Sequence, residues 1–117
     1  MLDQKAKELG RLIGQSPEYQ SVKRANDALH NDRDAVTALN RMEQLRQSAQ
    51  RLLAQGQDPT NEMEQELDEL LTKVQSNANY QRAISAQENF DKLMLQVNGW
   101  MSEGMKAGAA SPIITLT

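Results

Sequence analysis

The sequence predicts an all-α protein of about five helices, drawn out as an elongated antiparallel hairpin or bundle that self-associates. Three observations carry that reading. Apolar residues recur at gaps of three and four through most of the 117 residues, the period-two alternation of strands is absent, and strong helix stops and starts separate the periodic stretches. One Trp, one Phe and two Tyr leave a core of Leu, Ile, Val, Ala and six Met, side chains that suit helix on helix. A chain of this length fits one domain and buries roughly two-thirds of its unfolded surface.

The first helix carries Leu2, Ala6, Leu9 and Ile13 as one stripe and is expected to stop at Gly14. Within three residues a second begins: Ser16 is placed to cap it, Pro17 suits its first position, and Glu18 complements the positive end of its dipole. It runs to about His30, with Tyr19, Val22, Ala25 or Asn26, and Leu29 in line. Asn31 and Asp32 read as turn and N-cap of a third, longer helix carrying Ala35, Leu39, Met42, Leu45, Ala49, Leu52 and Leu53 as far as Gly56. Asp58 and Pro59 are expected to start a fourth, with Met63, Leu67, Leu70 and Val74 at a/d-like spacing. Leu67 and Leu70 are then the buried side, and Glu62, Glu66 and Glu69 face solvent. "SNAN" is a weaker break or kink before the last long helix, from 78 to about 105, which carries Phe90, Met94, Val97 and Met101. Residues 1–108 are read as the helical domain and 109–117 as a flexible tail, with Ser111 and Pro112 ending the helix.

Composition narrows the function more by exclusion than by signature. The formal charge of −3 offers no general basic field, so nucleic acid is not the expected partner. Cysteine is absent, which rules out disulfides and thiolate metal sites and agrees with a reducing cytoplasm. No apolar run approaches the ~20 residues that span a bilayer, and no membrane association is expected. A phosphate-binding glycine loop, a G-x-S-x-G elbow and a nucleophilic cysteine are all missing, and the single histidine, His30, is better placed to neutralise a helix C-terminus than to serve a triad. Neither catalytic nor cofactor-binding residues are assigned.

Charge is unevenly spread: residues 56–76 carry six Asp/Glu against one Lys. Glu62, Glu66 and Glu69, at i, i+4 and i+7, share a helix face and define a rival reading as a carboxylate metal site. A solvated face explains the spacing more simply, and a di-metal bundle wants repeated Glu-x-x-His pairs that this chain lacks. A second rival, an RNA-binding helper, would use Lys23, Arg24, Arg41, Arg46 and Arg51. The last helix differs from the others in that Phe90, Leu93, Met94, Val97, Trp100 and Met101 cover more than one seam. Its surplus apolar surface leads us to expect a homodimer or dimer of dimers with Leu93, Val97 and Trp100 in the contact.

The order of these pieces is also familiar. "IGQSPEYQSVKRANDAL", "NDRDAVTALNRMEQLRQSAQRLLAQGQ" and "NANYQRAISAQENFDKLMLQV" together resemble the YlbF/YmcA family of small bacterial helical proteins, in layout closest to its YheA-like branch. The likeness extends to about Met105 and rests on Ile13, Ser16, Glu18, Tyr19, Asp34, Ala35, Leu39, Gln50, Gly56, Ala86 and Leu93, a diffuse pattern without a catalytic signature. It implies an all-helical cytoplasmic protein that self-associates through long antiparallel helices. For some relatives it also implies a regulatory subunit joining partner proteins that affect RNA maturation, competence, sporulation and biofilm formation. Two departures matter. Certain relatives hold iron–sulfur clusters through cysteines, which this chain lacks, and Gln87 stands where relatives often place an acidic residue.

Overall fold

A computed structural model describes residues 1–116, the side chains of 111–116 excepted. Five helices account for it: α1 (Leu2–Gly14), α2 (Pro17–His30), α3 (Arg33–Ala54), α4 (Asn61–Gln75) and α5 (Ala78–Leu116). Among the described residues there is no strand.

Local chemistry explains most boundaries. Pro17 disfavours a helical conformation for the residue before it, and Ser16 is accordingly extended at φ −66°, ψ 148°. The Ser16 hydroxyl then serves both helices, donating to the Ile13 carbonyl at 2.6 Å and accepting from the Tyr19 N–H at 3.1 Å. Gly14, expected as the stop, keeps a right-handed conformation as the last residue of α1, so Ser16 and Pro17 make the corner. Asp32 caps α3 as expected, accepting from the Ala35 N–H at 3.1 Å. At the far end Gly56 takes φ 76°, where a glycine is unstrained. The Gln57 N–H reaches Leu52 O at 2.8 Å and the Gly56 N–H reaches Leu53 O at 3.0 Å, a complete Schellman closure.

Two boundaries depart from the sequence reading. Thr60, rather than Asp58, caps α4 by accepting from the Met63 N–H at 3.2 Å, so Pro59 stays outside the helix. The last helix runs to Leu116 instead of stopping near Met105. Residues 102–110 hold Ala, Met, Lys and Glu with two glycines and no proline, so nothing before Pro112 forbids propagation. The apolar tail side chains Ile113, Ile114 and Leu116 lie outside the described residues.

The helices pack in two pairs. α2 lies along α5, with the Tyr19 and Phe90 rings 5.6 Å apart, and α3 lies along α4 as a hairpin. The pairs meet where α2 turns into α3 and α4 into α5, and α1 rests on α2. The resulting shape measures 70 × 37 × 20 Å with a radius of gyration of 21.9 Å, against roughly 13 Å for a compact chain of this length. The buried core is correspondingly thin: Ala35, Ala38, Leu45, Val74, Ala83, Ala86 and Val97, four of the seven being alanine.

Candidate interaction surfaces

At 39 residues and 1.5 Å per residue, α5 is about 58 Å long, whereas the 14-residue α2 covers about 21 Å of it. The covered part holds Ala83, Ala86, Phe90 and Val97 against its own chain. Past it, Trp100 is 60% exposed, and Met101, Met105 and the nearby Leu95 are also open. Met101 and the α1 residues Leu2, Ala6, Leu9 and Ile13 line a shallow apolar depression.

The three residues expected to form one contact are therefore separated. Val97, at 4% exposure, belongs to the chain's own core and not to an outer face. Leu93 is half-buried beside Pro17, Glu18 and Ser21. Trp100 alone projects into solvent. Periodicity correctly marked the apolar band, but which part of it meets α2 depends on how the two helices cross, and no single-helix pattern encodes that.

A second surface lies between α3 and α4. Leu39, Met42, Leu45 and Ala49 on one wall, and Met63, Leu67 and Leu71 on the other, line an apolar trough of about 550 Å³. Pro59 lies in it too, and Glu43, Arg46 and Glu64 reach it. Leu67, expected in the core, is 36% exposed here. Two helices alone bury only the seam between them, so the flank of each apolar stripe remains open.

The opposite side of the hairpin carries a cross-helix ion pair. Arg41 of α3 grips Glu66 of α4 through two hydrogen bonds, one of them 2.9 Å. The bonds from Arg41 hold the Glu66 carboxyl below its ordinary range, and Glu66 raises the Arg41 guanidinium. Glu66 is thus tied to α3 by Arg41 while its carboxylate stays partly exposed to solvent. Among the described residues no three His, Cys, Asp or Glu side chains are grouped to hold a metal ion, Glu62, Glu66 and Glu69 included. Of the arginines considered for RNA, Arg46 pairs with Glu43 and Arg41 with Glu66, which leaves no unbroken basic stripe. His30 sits in the last turn of α2 with Nδ1 2.7 Å from the Asn26 carbonyl, a bond that requires the proton on Nδ1.

A polar clasp at the junction of the two pairs was not foreseen. Asp32, while capping α3, also accepts from Asn77 Nδ2 at 2.9 Å and Asn79 Nδ2 at 3.0 Å, and Asn77 in turn accepts from the Tyr80 N–H at 2.9 Å. The bonds from Asn77 and Asn79, followed by the Ala35 N–H, hold the Asp32 carboxyl below the usual carboxylate range. One carboxylate therefore fixes the starts of α3 and α5 together. The two asparagines of "SNAN" were its only local signal, and they are 45 and 47 residues from their partner.

Comparison with known proteins fits this architecture. The family described as "Control of competence regulator ComK, YlbF/YmcA" matches residues 2–106. A UPF0342 protein of Desulfitobacterium hafniense is 28% identical over 102 residues, covering 87% of this chain and 78% of its own. A UPF0342 protein of Limosilactobacillus reuteri is 27% identical over 93 residues, covering 80% and 76%. One from Streptococcus agalactiae is 35% identical over 72 residues, covering 62% and 65%. Among the described residues no helix is long and apolar enough to cross a membrane.

Proposed function

Because this chain belongs to the YlbF/YmcA family, we propose that it is a non-enzymatic, self-associating helical adaptor, a cytoplasmic subunit of a bacterial regulatory complex of the kind that governs competence, RNA maturation, sporulation or biofilm formation. The protein works by presenting helix surfaces to other chains, its own copies first. The supporting observation is the surface it leaves uncovered. A folded monomer of 13.1 kDa is expected to expose about 6,400 Å², and this one exposes 9215 Å². The distal face of α5 supplies part of that excess, and self-association there uses Trp100 with Leu93 at its edge, leaving Val97 inside the subunit.

Trp100 is the sole tryptophan, so its fluorescence reports on this face directly. Diluting the full chain from tens of micromolar to nanomolar should move its emission to longer wavelength as the indole returns to water, and Trp100→Glu should lower the associated mass. An emission maximum already that of a solvated indole at the highest concentration, and unmoved by dilution, overturns the contact. For the adaptor role, the wild-type chain should retain a defined protein set from native lysate that Trp100→Glu or Leu67→Glu, in the α3/α4 trough, loses. An identical background for all three counts against it.

A further inference from the structure

The α3/α4 trough shares no residue with the distal face of α5, and its dimensions suit a helix. Its walls are two helices side by side, of which α4 alone runs about 22 Å. The recess along their seam, about 550 Å³, is lined chiefly by Leu and Met. A third helix lies in such a groove with anchors at i, i+3 or i+4 and i+7, and the unbranched Met42 and Met63 can adjust to the side chains it brings.

Charge around the trough indicates what kind of helix fits. Three charged side chains line it, and two of them, Arg46 and Glu43, are hydrogen-bonded to each other at 2.9 Å and cancel. Glu64 is the third. It is exposed and has no cationic partner among the described residues, and the same holds for Asp68, one turn further along that edge of α4. The uncompensated charge beside the trough is therefore negative. α3, with four arginines against one Asp and one Glu, is the most basic helix of this chain, but Arg41 and Arg46 are already bound to carboxylates of their own chain. A second copy is thus poorly equipped to answer Glu64 and Asp68, and the free cations must come from elsewhere.

Resting on the adaptor reading above, we propose that the α3/α4 trough docks a cationic amphipathic helix of a different protein. Its apolar stripe lies over Met42, Met63 and Leu67, and Lys or Arg beside the stripe faces Glu64 and Asp68. Burial of apolar surface supplies the affinity, and the two carboxylates select the partner.

The test uses the full chain and a fluorescein-labelled peptide of Leu and Lys, about four helical turns long and patterned as an amphipathic helix, with the same pattern carrying Glu in place of Lys as its control. Anisotropy should show saturable binding of the Lys peptide that weakens as salt is raised, and no binding of the Glu peptide. Glu64→Gln combined with Asp68→Asn should weaken binding roughly fivefold and flatten its salt dependence. Glu62→Gln combined with Glu69→Gln makes the same change of net charge on the far side of α4 and should leave binding unaltered. Leu67→Lys should abolish it with the circular dichroism intact, since Leu67 is 36% exposed. Equal losses from the two carboxylate pairs, or a Glu peptide bound as well as the Lys peptide, would overturn the proposal. So would a peptide that shifts the Trp100 emission and ignores Leu67→Lys, which places it on the α5 face. A Leu67→Lys chain of half the wild-type mass in light scattering would put a second copy in the trough and overturn it too. Peptide binding absent while Leu67→Glu still loses its lysate proteins rejects the cationic helix and leaves the adaptor reading standing, whereas lysate capture identical in every variant removes that reading and the proposal with it.

Discussion

The two helix pairs solve the same packing problem with different side chains. Along the α2/α5 pair the residues buried on α5 are chiefly small, with Ala83, Ala86 and Val97 inside and Ala86 facing Ala25 and Ala28. Small residues let helix backbones approach towards the short end of the usual 8–10 Å range, so one partner helix is enough to close the seam. Along α3/α4 the small residues Ala35, Ala38 and Val74 close the seam at the end near the clasp, but toward the hairpin tip the facing residues are Leu39, Met42, Met63, Leu67 and Leu71, and there the seam opens into a trough. Larger side chains hold the helices further apart and extend beyond the line of contact, so they need more than one neighbour. Burial in this protein is thus decided less by how apolar a helix is than by how many helices it meets.

This contrast is open to attack at several points, the largest effect first. Leu45 is the one large side chain that the hairpin buries well, so Leu45→Ala should cost about 2–5 kcal/mol in denaturant titrations. Leu67→Ala should cost clearly less at dilutions where the chain is dissociated, since Leu67 is then partly in water. Equal losses would mean that the trough is closed within the monomer. On the other pair the sensitive change is an increase in size. Ala86→Leu should destabilise by about 1–3 kcal/mol through overpacking, whereas Ala49→Leu in the trough should be close to neutral.

The helix boundaries were legible because their chemistry is local. Ser16, Asp32 and Gly56 each act on groups within five residues, and each was found where the sequence placed it. Apart from the start of α4 and the end of α5, failures came where a second element had a say. Glu66 was read as solvated because its partner Arg41 is 25 residues away, and whether the two meet depends on the register of α3 against α4. Val97 was read as interface because an apolar band around a helix does not reveal which of its sides faces the same chain. The trough escaped notice for a related reason, since both walls are ordinary amphipathic stripes until they are set side by side.

Smaller effects sharpen the account at the corners and the clasp. Ser16→Ala removes the acceptor for the Tyr19 N–H and should cost about 1 kcal/mol, measured as a lowered melting midpoint. The clasp should show itself in pH dependence. Asp32 is held below its unfolded value of about 3.9, so its stabilising contribution is fully present above that pH and is lost as pH falls through the lower folded value. The gap in melting temperature between wild type and Asp32→Asn should therefore be widest near neutrality and narrow only below about pH 4. A constant gap would mean that the carboxylate charge is not what Asn77 and Asn79 recognise. Smallest of all should be Glu66→Gln, an exposed pair whose loss shifts the melt slightly and less as salt is raised.

The claim beneath all of these is that the elongated chain is one part of a larger packed unit, and its mass in solution tests that most directly. Light scattering coupled to size exclusion, on the full chain at tens of micromolar, should give two or more times the chain mass of 13.1 kDa. A single 13.1 kDa species at that concentration would contradict the account, because the α5 face would then stand open to water.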